Sequence, residues 1–175
     1  MRTILTLHPD GRRAAVSAIE VEAERREAGV LALRYLVTGD VEAVALPSPA
    51  APARTDELWR HTCFEAFVGA AGAEAYAEIN LAPSGQWAAY RFDGYRQGMA
   101  PLEPFAAPGV AMRRTEGGLE LSATLRLDDL ASHDWRLGLA VVIEETGGGI
   151  AHWAAAHPPG RPDFHHRDGF ALDLP

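Results

Sequence analysis

The sequence contains no lysine; all sixteen of its basic residues are arginine. That absence excludes chemistry built on a lysine amine, such as a Schiff base or the ammonium of a phosphate loop. A single cysteine, Cys63, rules out an internal disulfide. No apolar run reaches membrane-spanning length. The net charge is −8 and no segment is a basic run. Phosphate backbones and anionic lipid surfaces both require clustered cations, so neither nucleic acid nor a membrane is expected as a partner. The opening MRTILTLHPDG is too poor in apolar residues for a signal-peptide core, and a cytoplasmic location is expected. Sustained helical periodicity is missing throughout.

What is present fits an all-β protein. The chain has 175 residues, 47% of them apolar, with seventeen Gly and twelve Pro. That is enough for one domain, 1–175, burying roughly two thirds of its unfolded surface, and its punctuation suggests many short elements. Strict alternation predicts strands at Ile4–His8, Ala15–Ala23, Val30–Thr38, Val110–Arg114, Leu119–Leu127, Leu137–Glu145 and Ile150–Ala156. Leu119, Leu121, Ala123, Leu125 and Leu127 against Glu120, Ser122, Thr124 and Arg126 is the clearest case. Thr62–Val68, Tyr76–Leu81 and Gln86–Phe92 follow each other closely, and Phe170–Leu174 ends the chain. Glu24–Ala28 reads as a charged turn, and Gly39-Asp40 leads into Val41–Leu46. Pro47–Asp56 and Gln97–Gly109 read as surface loops. About ten strands with turn signals every eight to twelve residues predict an antiparallel β-sandwich.

The segment Arg54–Arg96 holds two of the four Trp, three of the four Tyr and the only Cys. Alternation turns Phe64, Ala66 and Val68 toward the core, and Cys63, Glu65 and Phe67 the other way. On the next strand Ala77, Ile79 and Leu81 point inward, leaving Tyr76, Glu78 and Asn80 opposite. Glu65, Glu78 and Asn80 can therefore share one face, with Trp59 before it and Arg91 and Arg96 after it. An aromatic ring beside carboxylates, an amide and guanidinium groups suits a polyhydroxylated ligand. The plain alternative is a solvated sheet face carrying weak Arg–Glu pairs.

Other chemistries are less well supported. Glu65 and Glu78 form a carboxylate pair as in glycoside hydrolysis, but Arg neighbours are expected to keep both ionised. Cys63 has no diagnostically placed His and no helix N-terminus to activate it. His157, Asp163, His165 and His166 have the composition of a metal cluster; in a loop rich in Pro and Gly, hydrogen bonds that fix the loop explain them better. Met99 and His165 are the types of residue that ligate haem, without a CxxCH attachment.

LWRHTCFEAFVG, YAEINLAPSGQWAAYRFDGYRQGM and HPPGRPDFHHRDGFALDL together resemble the DOMON-like proteins of bacteria, which are similar in turn to family 9 carbohydrate-binding modules. The resemblance runs from Arg54 to the C-terminus. It implies a β-sandwich whose concave face holds a sugar or, in some relatives, haem; calcium is implied only in the same way. The Trp-then-Glu spacing of that pattern is reproduced by Trp59 and Glu65. Arg91 is the matching Arg on a following strand. The second aromatic of the clasp falls near Phe164, with Trp153 earlier in the chain. The resemblance implies non-catalytic carbohydrate binding through Trp59, Glu65, Arg91 and Phe164, and the shared strand face adds Glu78, Asn80 and Arg96 as expected ligand-binding residues. Haem or another cofactor is the first alternative, and a hydrolase the second.

Overall fold

Two-residue periodicity becomes strand wherever both faces of the pleat have something to pack against. The structure is a computed structural model in which residues 1–11 and 15–175 are described. Among these residues twelve strands form: β1 (Arg2–Leu7), β2 (Val16–Glu27), β3 (Val30–Gly39), β4 (Cys63–Ala70), β5 (Tyr76–Leu81), β6 (Trp87–Phe92), β7 (Ala100–Pro101), β8 (Gly109–Thr115), β9 (Gly118–Arg126), β10 (Trp135–Glu144), β11 (Ile150–Ala154) and β12 (Leu172–Leu174). They pair in the order β7-β6-β5-β4-β10-β11-β1-β2-β3-β9-β8, with β12 beside β10. Every strand pairing is antiparallel.

β1 is the corner of the molecule. Its residues Arg2–Leu5 pair with β2, whereas Thr6 and Leu7 pair with β11. One strand therefore belongs to both layers, as in sandwiches whose strands switch sheets at a bend. The layers close on one another over a single apolar cluster. β3 contributes Leu31, Leu33, Tyr35 and Val37, and β9 contributes Leu119, Leu121, Ala123 and Leu125. Opposite them lie Phe64, Ala66 and Val68 of β4, Ala77, Ile79 and Leu81 of β5, and Leu137, Leu139, Val141 and Ile143 of β10. Each fully buried Val, Leu, Ile or Phe side chain among them contributes about 1.5–3 kcal/mol. Tyr35 crosses the core: its ring meets Phe64 edge-on at 5.2 Å, and its hydroxyl donates to the Glu65 carbonyl at 2.9 Å.

Two local expectations are corrected. Glu24–Glu27 is not a turn; β2 runs on through it and reverses only at Ala28-Gly29, where Gly29 has φ 75°. Its charges are tolerated because Arg25 lies over the Trp135 ring at 4.4 Å and donates to the carbonyls of Ala131 and His133. Val41–Leu46 holds a 3-10 turn, Val41–Ala43, and then only an isolated bridge from Val44 to Glu145.

The outer face of β4, β5 and β6 is not a solvated sheet face. Phe67, Tyr76, Ala88, Tyr90, Phe92, Ala140 and Ala154 form a second buried cluster there, and Leu58, Trp59, Phe164 and Phe170 pack onto it. β4 is accordingly buried on both faces from Cys63 to Gly69.

Candidate functional site

The register places the polar groups in a row. Glu65 of β4 lies opposite Asn80 of β5, and Ala140 of β10 lies on its other side. Ala154 and Ala88 extend the row at its two ends. Alanines on the outer positions keep this row low, while the neighbouring rows carry Val142 and His152 on one side and Phe67, Glu78 and Tyr90 on the other. The result is a trough with a carboxyl and an amide at its centre. Over it lies a cleft of about 360 Å³, lined by Trp59, Glu65, Glu78, Arg96, Phe164 and His165 together with Phe92, Met99, Val142, His152 and Pro162.

The walls come from two segments outside the sheet. Trp59 sits in the 3-10 turn Leu58–Arg60, edge-on to Tyr90 at 6.0 Å. Phe164 comes from the 157–170 loop and packs near Phe67, His152 and His157. Asp163 pins that loop: it accepts from the Arg96 guanidinium at 2.8 Å, the Tyr95 hydroxyl at 2.6 Å and the His165 amide at 3.1 Å. His157 fixes its other end through Nε2, 2.8 Å from the Thr6 carbonyl. Glu57 and Arg96 are the non-glycine residues of positive φ among those described, at 63° and 54°. Arg96 lines the cleft, and Glu57 precedes the turn that carries Trp59. Such a backbone costs of order 1 kcal/mol and persists where surrounding structure over-determines it.

The electrostatics of the floor are unusual for a sheet. Glu65 is 3% exposed, Glu78 4% and Asn80 fully buried. The Asn80 amide donates to Glu78 Oε1 at 2.7 Å. Glu65 Oε1 and Asn80 Oδ1 have no hydrogen-bond partner among the described residues. Burial pushes the Glu65 carboxyl well above the ordinary glutamate range, and the neighbouring Glu78 pushes the same way. Burial also raises Glu78, with the Asn80 hydrogen bond and Arg96 pulling against it. The expectation that arginines hold both carboxyls ionised therefore fails among the described residues, where Arg96 is committed to Asp163 and no guanidinium bonds Glu65. His165 bonds the Tyr76 hydroxyl through Nδ1 at 2.8 Å and turns Nε2 toward Glu78 at 3.6 Å. Desolvation, then Arg96, lowers its pKa to about 4, so the ring is neutral around pH 7.

The sequence-expected residues divide cleanly. Trp59, Glu65, Glu78, Arg96 and Phe164 meet at the cleft, and Asn80 lies fully buried beside Glu65, beneath the cleft lining. Arg91 does not: with Trp87 and Ala89 it belongs to the other side of β6, where it pairs with Asp93 at 3.0 Å. Trp153 also faces away, into the main core. His152, its neighbour on β11, takes the cleft side; parity along β11 was the available signal. Phe92 joins the cleft by the same parity on β6.

The alternative chemistries fare poorly on geometry. Cys63 is fully buried, and burial raises its thiol pKa well above the usual value. Asp163, His165 and His157 have the loop-fixing bonds described above, and His166 accepts from the Asp168 amide through Nδ1 at 3.3 Å. No group of three or more His, Cys, Asp or Glu among the described residues is arranged to hold a metal ion. For haem, Met99 and His165 do line one cleft, but His165 Nδ1 bonds the Tyr76 hydroxyl and its Nε2 faces Glu78 at 3.6 Å, so this pair does not fit axial ligation.

The same architecture recurs in carbohydrate-binding proteins. A candidate carbohydrate-binding protein from Bacteroides uniformis ATCC 8492 superposes with a TM-score of 0.66 at 13% identity, over 96% of this chain and 83% of that one. A family 9 carbohydrate-binding module from Caldicellulosiruptor kristjanssonii, in complex with cellotriose, gives a TM-score of 0.53 at 10% identity, over 91% and 74%. At these identities the likeness is one of fold. No family model and no curated protein matches the sequence, so the resemblance to DOMON-like proteins is not carried to a family.

Proposed function

We propose that this chain binds a small carbohydrate, or the end of a glycan, in the cleft over β4 and β5 without turning it over. The observation that carries the reading is the placement of two aromatics from separate segments, Trp59 and Phe164, on one cleft whose floor holds Glu65, Glu78 and Asn80. Aromatic faces stack on the C–H surface of a sugar ring, and fixed polar groups beneath them select hydroxyl positions. Arg96, held in place by Asp163, takes the part assigned to Arg91 from sequence. The likeness of fold to a module in complex with cellotriose points the same way.

Titration with a panel of mono- and disaccharides, read by tryptophan fluorescence and melting temperature, tests the reading. A saturable response is expected, lost in Trp59→Ala. No response to any sugar in the panel would overturn it.

A further inference from the structure

The floor of the cleft holds two buried carboxyls and an amide with acceptor positions left unfilled. Glu65 Oε1 and Asn80 Oδ1 have no partner among the described residues, and one N–H of the Asn80 amide is given to Glu78. The ionisable groups facing Glu65 are Glu78 from β5, Cys63 from its own strand, His152 from β11, and Arg96 and His165 from the loops. His152 and His165 are both held neutral by burial, and the Arg96 charge is answered by Asp163. Nothing among the described residues neutralises Glu65 and Glu78 together, so the pair keeps a proton that solvent would otherwise remove.

A sugar hydroxyl supplies one donor and no charge, and leaves this imbalance in place. An ammonium group supplies three donors and the missing positive charge. The chain has no lysine to provide one, and its N-terminal ammonium is bound to the Ala23 carbonyl. Trp59, Phe92 and Phe164 line the same cleft, and aromatic faces attract a cation. We propose that the sugar bound here is an amino sugar, whose free ammonium group is held by Glu65, Asn80 and Glu78. This rests on the carbohydrate reading above and specifies its ligand class. When the ammonium enters, the proton held by the carboxyl pair leaves to solvent, and both carboxylates become ionised against the new cation.

Calorimetric titration of the full chain separates the two claims. D-glucosamine, D-glucose and N-acetyl-D-glucosamine are compared at about pH 6, where the free amine is protonated. Each titration is repeated in two buffers of different ionisation enthalpy. Glucosamine is expected to bind about tenfold more tightly than glucose, the difference between charged and neutral hydrogen bonds. N-acetylation should remove that advantage, and proton release should accompany glucosamine but not glucose. In Glu65→Gln, and independently in Glu78→Gln, the ratio of the two affinities should fall toward one. Glucose binding as tightly as glucosamine, or glucosamine binding without proton release, would overturn the amino-sugar assignment and leave carbohydrate binding standing. Failure of all three sugars, with and without an amine, would overturn both.

Discussion

Single side chains set how this protein answers to pH. His165 is depressed to about 4 in the folded chain against 6.5 for the free ring. Between those values the unfolded chain binds the extra proton, so folding is stabilised as pH rises from about 4 to about 6.5. The effect is on the order of 3 kcal/mol. Glu65 acts in the opposite sense. Its folded pKa is raised, so its contribution is fully present below the ordinary glutamate value and is lost as pH rises through the folded one. Melting curves across this range should show His165→Gln losing its acid-side decline relative to the parent. Glu65→Gln should gain on the parent as pH climbs. If both variants track the parent at every pH, the buried carboxyl–imidazole floor is wrong. Parity along β4 and β5 placed Glu65, Glu78 and Asn80 on a shared face from sequence alone. The resemblance points to Arg91, whereas two-residue parity along β6 puts Arg91 on the side of Trp87 and Ala89, away from the cleft.

At the level of elements, the outer face of the second layer is tied by a ladder of charges across four strands. Glu22 of β2, Arg34 of β3, Glu120 of β9 and Arg113 of β8 follow one another through bonds of 2.7–3.0 Å. Arg113 and Arg34 lower the Glu120 pKa, so this carboxylate contributes stability that is lost as pH falls through its depressed value. Glu120→Gln should therefore lower the melting temperature at neutral pH and make it less sensitive to acid. Gly39 has φ 132° beside the β2 irregularity at Val16–Ala18, and a Cβ there would press on the backbone of Ala15–Val16. Gly39→Ala should cost about 1–3 kcal/mol in denaturant unfolding. β3, β5 and β9 were legible because their alternation is clean. The extension of β2 through Glu24–Glu27 was not, since its support comes from Trp135 and two carbonyls more than a hundred residues away.

For the whole molecule, the sandwich follows from alternation, but the cleft does not. Its walls are brought in from the Trp59 turn and the 157–170 loop, joined to the sheet by Asp163, Arg96, Tyr95 and Tyr76. These are long-range side-chain bonds with no periodic signature, and sequence reading reached Phe164 only through resemblance. Phe67 lies where sheet, loop and cleft floor meet, within 6.4 Å of Phe164 and 5.2 Å of His165 between ring centroids. Phe67→Ala should cost about 3–5 kcal/mol and weaken ligand binding together with stability. Activated aryl glycosides should be bound without release of the aryl group; measurable turnover that vanishes in Glu65→Gln or Glu78→Gln would convert the binding site into an active site.

The sole thiol offers a clock. Cys63 opens β4, two residues before Glu65 on the same face, and is completely enclosed with its proton held. A thiol reagent in solution can modify it only when this strand is exposed, so its labelling rate counts openings of β4 one molecule at a time. Where openings are rare but closure is fast, that rate measures the free energy of the opening itself. A ligand seated over Glu65 must then slow the labelling in proportion to its occupancy. The residue that does no chemistry for the protein thereby becomes a gauge of how firmly the floor of its cleft is held.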